Sequence, residues 1–234
     1  MLIFVLMKNK LILVLMMLTN TLFSQEIKVT RDIGLWIGLD FKKKIFKGFD
    51  LSLMQQIRTY KNVTELDDYL FDLGLKHPIN KQFAIGTNLR YIYNKRRVKE
   101  RENNFRYNLD IEFKKKIKSG LNFRYRLRYQ KEYVNLFSGF FAAAPQNIYS
   151  SSVRNKVKLM FKYNKTNRFF LSSELFRLFE LFREPYFNKV RFYLGDEIKT
   201  TIGSFDCSIG FEKELHSNNP YSFIFFKSIY TIKR

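Results

Sequence analysis

Side chains that could carry out hydrolytic chemistry are scarce in this sequence. Its 234 residues include two histidines, His77 and His216, and one cysteine, Cys207. A hydrolase needs a nucleophile, a base and an orienting group held together. The one neighbouring pair worth testing is His216 with Ser217, whereas His77 precedes Pro78 in a predicted short turn on the opposite side of the fold. The sequence therefore predicts a protein without enzymatic activity.

The alternative is an enzyme that modifies lipid or lipopolysaccharide with loop residues near His216. A histidine in a solvated loop is the plainer explanation of that position. The sequence does not indicate a metal site either, because it contains no spacing of histidine and cysteine that is typical of one. We expect neither a metal nor a cofactor. Cys207 lies two residues from both Phe205 and Ile209 and so shares their face of a strand. We therefore interpret it as a small apolar residue of that strand.

The overall charge suggests a nucleic-acid partner, but the distribution of the aromatic residues favours a membrane. The formal net charge is +21, and the chain contains 26 phenylalanines and 14 tyrosines. Lysine and arginine neutralise phosphates, and aromatic rings stack on bases. A nucleic-acid site would gather both kinds of residue on one patch, whereas here the aromatic residues occupy the face opposite the charges. We therefore predict membrane lipid as a partner, and no nucleic acid.

The two faces are clearest between Leu121 and Gln130. Leucine, phenylalanine and tyrosine share one face of this segment, and asparagine, arginine and glutamine share the other, as alternation on a strand requires. In a soluble sandwich, the apolar face would be the core and the arginines would be solvated. In a membrane barrel, the apolar face meets lipid and the arginines point into the lumen. We favour the barrel. The charged residues predicted to line its lumen are Arg90, Arg106, Arg124, Arg126, Arg128, Asp72, Asp110 and Glu112.

Hairpins recur along the chain as an alternating run, a short lysine-rich turn and a second alternating run. Strands of about ten to twelve residues are predicted at 31–41, 49–60, 67–76, 83–93, 104–114, 121–133, 152–163, 168–179, 188–199, 204–214 and 221–232. Such lengths suit tilted membrane-spanning strands, and short connections alternating with longer ones are typical of an outer-membrane barrel with its turns in the periplasm. The predicted fold is all-β, a single antiparallel transmembrane β-barrel of roughly 10–12 strands.

The amino terminus has the pattern of a cleaved signal peptide. Lys8 and Lys10 precede a short apolar run and a polar exit that ends on a small residue, and Met7 is a candidate for the true start. A retained membrane anchor is the rival interpretation, but the apolar run is shorter than the ~20 residues of a spanning helix. We predict a signal peptide at 1–24 and an outer-membrane barrel domain at 25–234.

The chain resembles the DUF2490 family, an uncharacterised group of Bacteroidetes proteins placed among outer-membrane β-barrels. The resemblance covers essentially the mature chain. It is carried by Gly34–Leu39 (GLWIGL), Leu66–Leu75 (LDDYLFDLGL), Leu89–Lys95 (LRYIYNK), Phe123–Gln130 (FRYRLRYQ) and Asn218–Tyr221 (NNPY). The family implies a barrel in the outer membrane and offers no catalytic residues. This sequence departs at its end, which is Lys233-Arg234 rather than the aromatic residue common in signals for the barrel-assembly machinery, the expected folding partner.

Two of the longer loops carry predictions of their own. The loop 94–102 is the most basic connection and could hold lipopolysaccharide phosphates by charge-assisted contacts, although a solvated loop is the plainer explanation. Its basic residues are Lys95, Arg96, Arg97, Lys99 and Arg101. The apolar loop 136–145 could fold over the mouth as a lid, lie in the outer leaflet or contact another protein, and we favour a lid or plug. The predicted function is a structural or interaction barrel that admits limited passage of small solutes through a charged lumen. No ligand or oligomeric state follows from the sequence.

Overall fold

A computed structural model describes residues 30–46, 48–94, 102–134, 149–180, 183–217 and 220–233. These described residues form eleven β-strands and contain no helix long and apolar enough to cross a lipid bilayer. The strands are β1 (Thr30–Phe46), β2 (Phe49–Tyr60), β3 (Glu65–Pro78), β4 (Phe83–Asn94), β5 (Glu102–Lys118), β6 (Leu121–Val134), β7 (Tyr149–Lys162), β8 (Asn167–Phe179), β9 (Tyr186–Lys199), β10 (Gly203–Glu214) and β11 (Tyr221–Lys233). The prediction of an all-β fold is confirmed, and every predicted strand is present.

The strands form a closed barrel in which each strand pairs with its neighbours in the chain. Within the described residues, all consecutive pairs are antiparallel, while β1 and β11 close the barrel in parallel, from Thr30 beside Tyr221 to Lys42 beside Lys233. An up-and-down chain with an odd number of strands brings its first and last strands together in the same direction. The predicted closed barrel of 10–12 strands is therefore confirmed, but the closing pair departs from the predicted antiparallel arrangement.

The connections divide the barrel into two ends. One end, here called the turn end, carries the short connections 47–48, 79–82, 119–120, 163–166 and 200–202. The other, here called the loop end, carries the connections 61–64, 95–101, 135–148, 180–185 and 215–220. This division matches the alternation of short and longer connections predicted from the sequence. Each inward-facing side chain can accordingly be assigned to the turn end, the middle or the loop end of the lumen.

Two hairpins extend further than the sequence suggests at the turn end. β1 continues to Phe46 and β5 continues to Lys118, so the lysine runs predicted as turns lie within strands of 17 residues. Both hairpins show a register shift near the turn. They then reverse direction at Gly48 and Gly120, which have φ values of 83° and 84°. Such backbone angles are readily adopted by glycine, so the chain can turn in two residues and pair the lysine-bearing segments.

The two faces of the wall differ sharply in exposure. On β1, Ile37 and Leu39 point outward and are 53% and 57% exposed, whereas Trp36 and Asp40 point inward and are 5% and 8% exposed. The same alternation runs around the barrel, with exposed leucine, isoleucine and phenylalanine side chains outside. The packed core therefore lies inside the lumen, and the outer surface is a broad apolar band.

Asp32 connects the closing seam to the turn between β2 and β3. Its carboxylate accepts hydrogen bonds from the backbone N–H groups of Lys61 (3.0 Å) and Asn62 (2.9 Å), and from the Tyr221 hydroxyl (2.6 Å). In the same turn, the Lys61 ammonium donates to Glu65 at 2.7 Å, which raises the pKa of Lys61. β1, β11 and the first connection of the loop end are thus joined by one side chain.

Candidate functional site

The lumen is the candidate functional site, because it holds the buried polar groups of the described residues. All the charged residues predicted to line it lie on inward-facing positions of β3, β4, β5 and β6, and all but Arg124 form ion pairs there. The period-2 alternation accounts for this arrangement, since alternate positions of a strand point to the same side.

Two ion pairs join predicted residues across neighbouring strands. Arg90 Nε donates to Asp72 Oδ2 at 2.6 Å, and both side chains are almost fully buried. Arg128 donates through Nε and one terminal nitrogen to the two oxygens of Asp110, each at 2.6 Å. Such two-point contacts fix geometry as well as charge. These pairs therefore hold β3 to β4 and β5 to β6 from inside the barrel.

The other predicted residues use partners outside the predicted set. Arg106 donates to Glu132 at 2.9 and 2.6 Å, and Glu112 pairs with Lys76. Arg124, at the turn end, forms no ion pair with any carboxylate in the described part of the chain. The network thus contains acceptors that the prediction omitted, and it leaves one predicted arginine without a counter-charge.

Glu174 is the most important omitted residue. It is 1% exposed and accepts hydrogen bonds from Arg126 at 2.9 Å and from Arg154 at 3.1 and 2.8 Å. Arg154 follows the polar alternation of β7 and could have been predicted. Glu174 is harder to recognise, since Phe170 and Phe176 share its face of β8, and the alternation there does not separate polar from apolar residues.

Aromatic side chains fill the part of the lumen next to the closing seam. This lumenal aromatic cluster packs together with Met160 and consists of Trp36 on β1, Tyr60 on β2, Phe170 on β8, Tyr193 on β9, and Phe223 and Phe225 on β11. The rings of Trp36 and Phe225 stack with their centroids 3.7 Å apart. This cluster was not predicted from the sequence, because the aromatic residues were expected on the lipid face. The sequence did contain one indication of it, because Phe223 and Phe225 alternate with period 2 toward a lysine and so share its face of the strand.

Arginine side chains join the aromatic cluster to the ion-pair network. The guanidinium carbon of Arg58 lies 4.0 Å from the centre of the Trp36 ring, and that of Arg191 lies 5.1 Å from it. Arg154 similarly lies 4.5 Å from the Phe176 ring. Arg191 also donates through Nε to Glu212 at 2.6 Å. Cation–π contacts of this kind are strongest where water is excluded. They join the lumenal aromatic cluster and the ion pairs into one packed interior.

The packed interior separates two cavities. The loop-end cavity has a volume of about 390 Å³ and the turn-end cavity about 460 Å³, and they share no lining residue. Leu70, Asn108 and Phe225 have no exposed area, and Glu174 has almost none, so side chains fill the cross-section at mid-strand. The arrangement is a barrel with a vestibule at each end and a closed middle.

The two histidines lie at opposite ends of the barrel. His77 Nδ1 is 2.8 Å from the carbonyl oxygen of Gly48 at the turn end, and its ring stacks on Phe49. The His216 ring lies against Tyr186 at the loop end, with centroids 4.2 Å apart. One site cannot use both histidines. Across the described residues, no three histidine, cysteine, aspartate or glutamate side chains gather in a way that could hold a metal ion.

Several predictions concern residues outside those that the structure describes. They are the signal peptide at 1–24, the apolar loop at 136–145, and the basic residues Lys95, Arg96, Arg97, Lys99 and Arg101. The predicted contact of these basic residues with lipopolysaccharide therefore stays a prediction.

A comparison with protein families identifies a match over most of the chain. A family model described as a protein of unknown function, DUF2490, matches residues 33–210. The matched segment runs from β1 into β10 and thus includes the ion pairs of β3 to β8, whereas Glu212, the partner of Arg191, lies just beyond it. No curated protein and no solved structure matches the chain.

Proposed function

The chain belongs to the DUF2490 family, which is described as a family of unknown function, and we propose that it is a non-enzymatic β-barrel protein of the outer membrane with a structural or interaction role. The observation that carries this proposal is the apolar outer wall. Leu89 is 59% exposed, Ile111 52% and Leu171 50%, each on the outside of a different strand. A monomer in water does not sustain so wide an apolar band, whereas hydrocarbon tails cover it at no cost.

Strand length and closure support the same proposal. The described strands have 12 to 17 residues, and a tilted strand needs about 9–11 to cross a bilayer. Every strand has a partner on both sides, so no unpaired backbone edge faces lipid. Membrane lipid is therefore the proposed partner of the wall, and the barrel-assembly machinery is the proposed folding partner.

The closed middle of the lumen supports a structural or interaction role over that of an open channel. Passage of solutes would require the side chains around Glu174 and Phe225 to move apart. The buried ion pairs oppose such movement, because separating a buried pair exposes charges that have no other partner. Limited passage of small solutes remains a prediction that electrical measurements can test.

Cell fractionation, gel mobility and conductance together test the proposal. The mature protein should be recovered in the detergent-extracted outer-membrane fraction, where it should migrate faster before boiling than after boiling, as closed barrels do. In planar bilayers, the purified protein should give no lasting conductance steps, because the lumen is closed at its middle.

Two results would contradict the proposal in different ways. A mature protein that stays monodisperse in buffer without detergent would show that the apolar band is buried, and the membrane location would be wrong. A stable open conductance would leave the location intact but overturn the closed lumen. A change in lipid or lipopolysaccharide that depends on His216 would favour the enzymatic alternative.

A further inference from the structure

The turn-end cavity has the features of an anion site, and we propose that it binds a small soluble anion that carries phosphate groups. Its volume of about 460 Å³ is in the usual range of small-molecule sites. The inference depends on the charge and shape of the cavity and not on the membrane in which the barrel resides. It therefore goes beyond the function proposed above and can fail independently of it.

The two cavities differ strongly in charge. Seven cationic side chains and two carboxylates line the turn-end cavity. Six cationic side chains and five carboxylates line the loop-end cavity, which is close to neutral. A concave surface with an excess of one charge concentrates ions of the opposite sign. Attraction of anions is consequently expected at the turn end and not at the loop end.

Most cations of the turn-end cavity form no ion pair with a carboxylate among the described residues. Lys76 is paired with Glu112, and Lys158 is 3.6 Å from an oxygen of Asp206. Asp206 is itself shared with Lys227, at 2.9 Å. The lining cations that form no ion pair with any described carboxylate are Lys44, Lys114, Arg124 and Lys156. The cavity thus holds several cations that an incoming anion could neutralise.

The inner part of the cavity contains an unsatisfied donor. Arg126 reaches Glu174 through one terminal nitrogen, while its Nε is buried and has no hydrogen-bond partner among the described atoms. The nearby Lys156 ammonium lies 4.4 Å from the ring of Tyr193. A buried donor and a partly buried cation without acceptors are both costly. Glu174 acts electrostatically on Lys156 but is already shared by Arg126 and Arg154. A bound oxyanion would therefore supply a further acceptor and further negative charge.

The position of the cavity indicates a soluble ligand rather than a lipid headgroup. The barrel wall separates the lumen from the surrounding lipid, and the cavity opens among the short turns. Lys44 and Lys114 line it there, and further exposed lysines lie beside them on β1 and β5. Lysine and arginine together are the usual ligands of phosphate groups in proteins. Several cations in one cavity favour an anion with more than one negative charge.

Calorimetric titration of the folded full-length mature protein with sodium pyrophosphate tests this inference. We expect saturable binding in zwitterionic detergent that weakens as salt is added. The Lys156→Met and Arg124→Gln variants should each weaken binding about tenfold, the loss expected when one charged hydrogen bond is removed. Each variant is first checked for faster migration before boiling, so that misfolded protein is not titrated.

Lys189→Met is the matched control, because it removes a lysine from the loop-end cavity and should leave pyrophosphate binding unchanged. Equal weakening by Lys189→Met, or the absence of saturable binding to the wild type, would overturn the proposal. Nanodiscs of phosphatidylcholine alone and of phosphatidylcholine with phosphatidylglycerol separate the two sources of phosphate. Equal affinity in both supports a soluble ligand, whereas weaker pyrophosphate binding with phosphatidylglycerol would mean that lipid headgroups occupy the site.

Discussion

Glu174 is the residue on which the interior depends most directly. Its carboxylate is almost inaccessible to solvent and accepts hydrogen bonds from Arg126 and Arg154, which come from different strands. Arg154 also lies over the Phe176 ring. One acidic side chain therefore balances two arginines and helps to hold one of them against the aromatic residues. Removing its charge should affect the barrel more than removing a charge at the rim.

Replacing Glu174 by Gln is expected to lower the free energy of unfolding by about 3–5 kcal/mol, the usual cost when one partner of a buried ion pair is removed. The amide keeps the size of the side chain but removes the ion-pair partner of two guanidinium groups. The measurement is urea-induced unfolding in detergent, followed by the difference in gel mobility between folded and unfolded forms.

Glu180→Gln is the control for this change. Glu180 pairs at 3.2 Å with Arg183, whose side chain is 70% exposed, at the loop end. An exposed pair contributes about 1 kcal/mol or less, so this variant should unfold close to the wild type. Equal losses in the two variants would mean that Glu174 is not the buried centre of the network.

At the scale of the strands, the sequence predicts positions and faces better than contacts. Alternation with period 2 predicts the positions of the strands, because one face of the wall is apolar and the other mostly polar, although on β8 the two kinds of residue share a face. It does not reveal Trp36 or Phe225 as interior residues, since an aromatic side chain suits either face. The alternation also does not predict the hydrogen bond from Arg126 to Glu174, which lies two strands away in the barrel. That contact depends on closure and tilt, which no single strand encodes.

The assignment of faces on β1 can be tested with fluorescence, because Trp36 is the only tryptophan. Trp36 is 5% exposed inside the lumen, and its neighbour Ile37 is 53% exposed on the outer wall. In bilayers that contain brominated phospholipids, the wild type should keep most of its emission. The double variant Trp36→Phe, Ile37→Trp should lose most of it, because its indole meets the bromine atoms. The reverse order of quenching would show that the faces have been assigned the wrong way round.

For the whole molecule, both the odd number of strands and the uneven distribution of charge distinguish the turn end of the barrel from the loop end. Because β1 and β11 run parallel, the described barrel begins at the loop end and finishes at the turn end. The turn end carries the more basic of the two cavities and the extended lysine-bearing hairpins. If the short turns are periplasmic, as is usual in outer-membrane barrels, this basic end faces the periplasm, and a phosphate-bearing ligand would reach it from there.

This orientation can be measured with two single-cysteine variants in a Cys207→Ala background, which removes the native thiol. Arg183→Cys adds a thiol at the loop end, and Lys165→Cys adds one in the β7–β8 turn at the turn end. A maleimide that cannot cross membranes should label Arg183→Cys on intact cells, but Lys165→Cys only after the outer membrane has been permeabilised. Labelling of Lys165→Cys alone on intact cells would show that the barrel is inserted the other way round, and that its basic cavity opens to the outside.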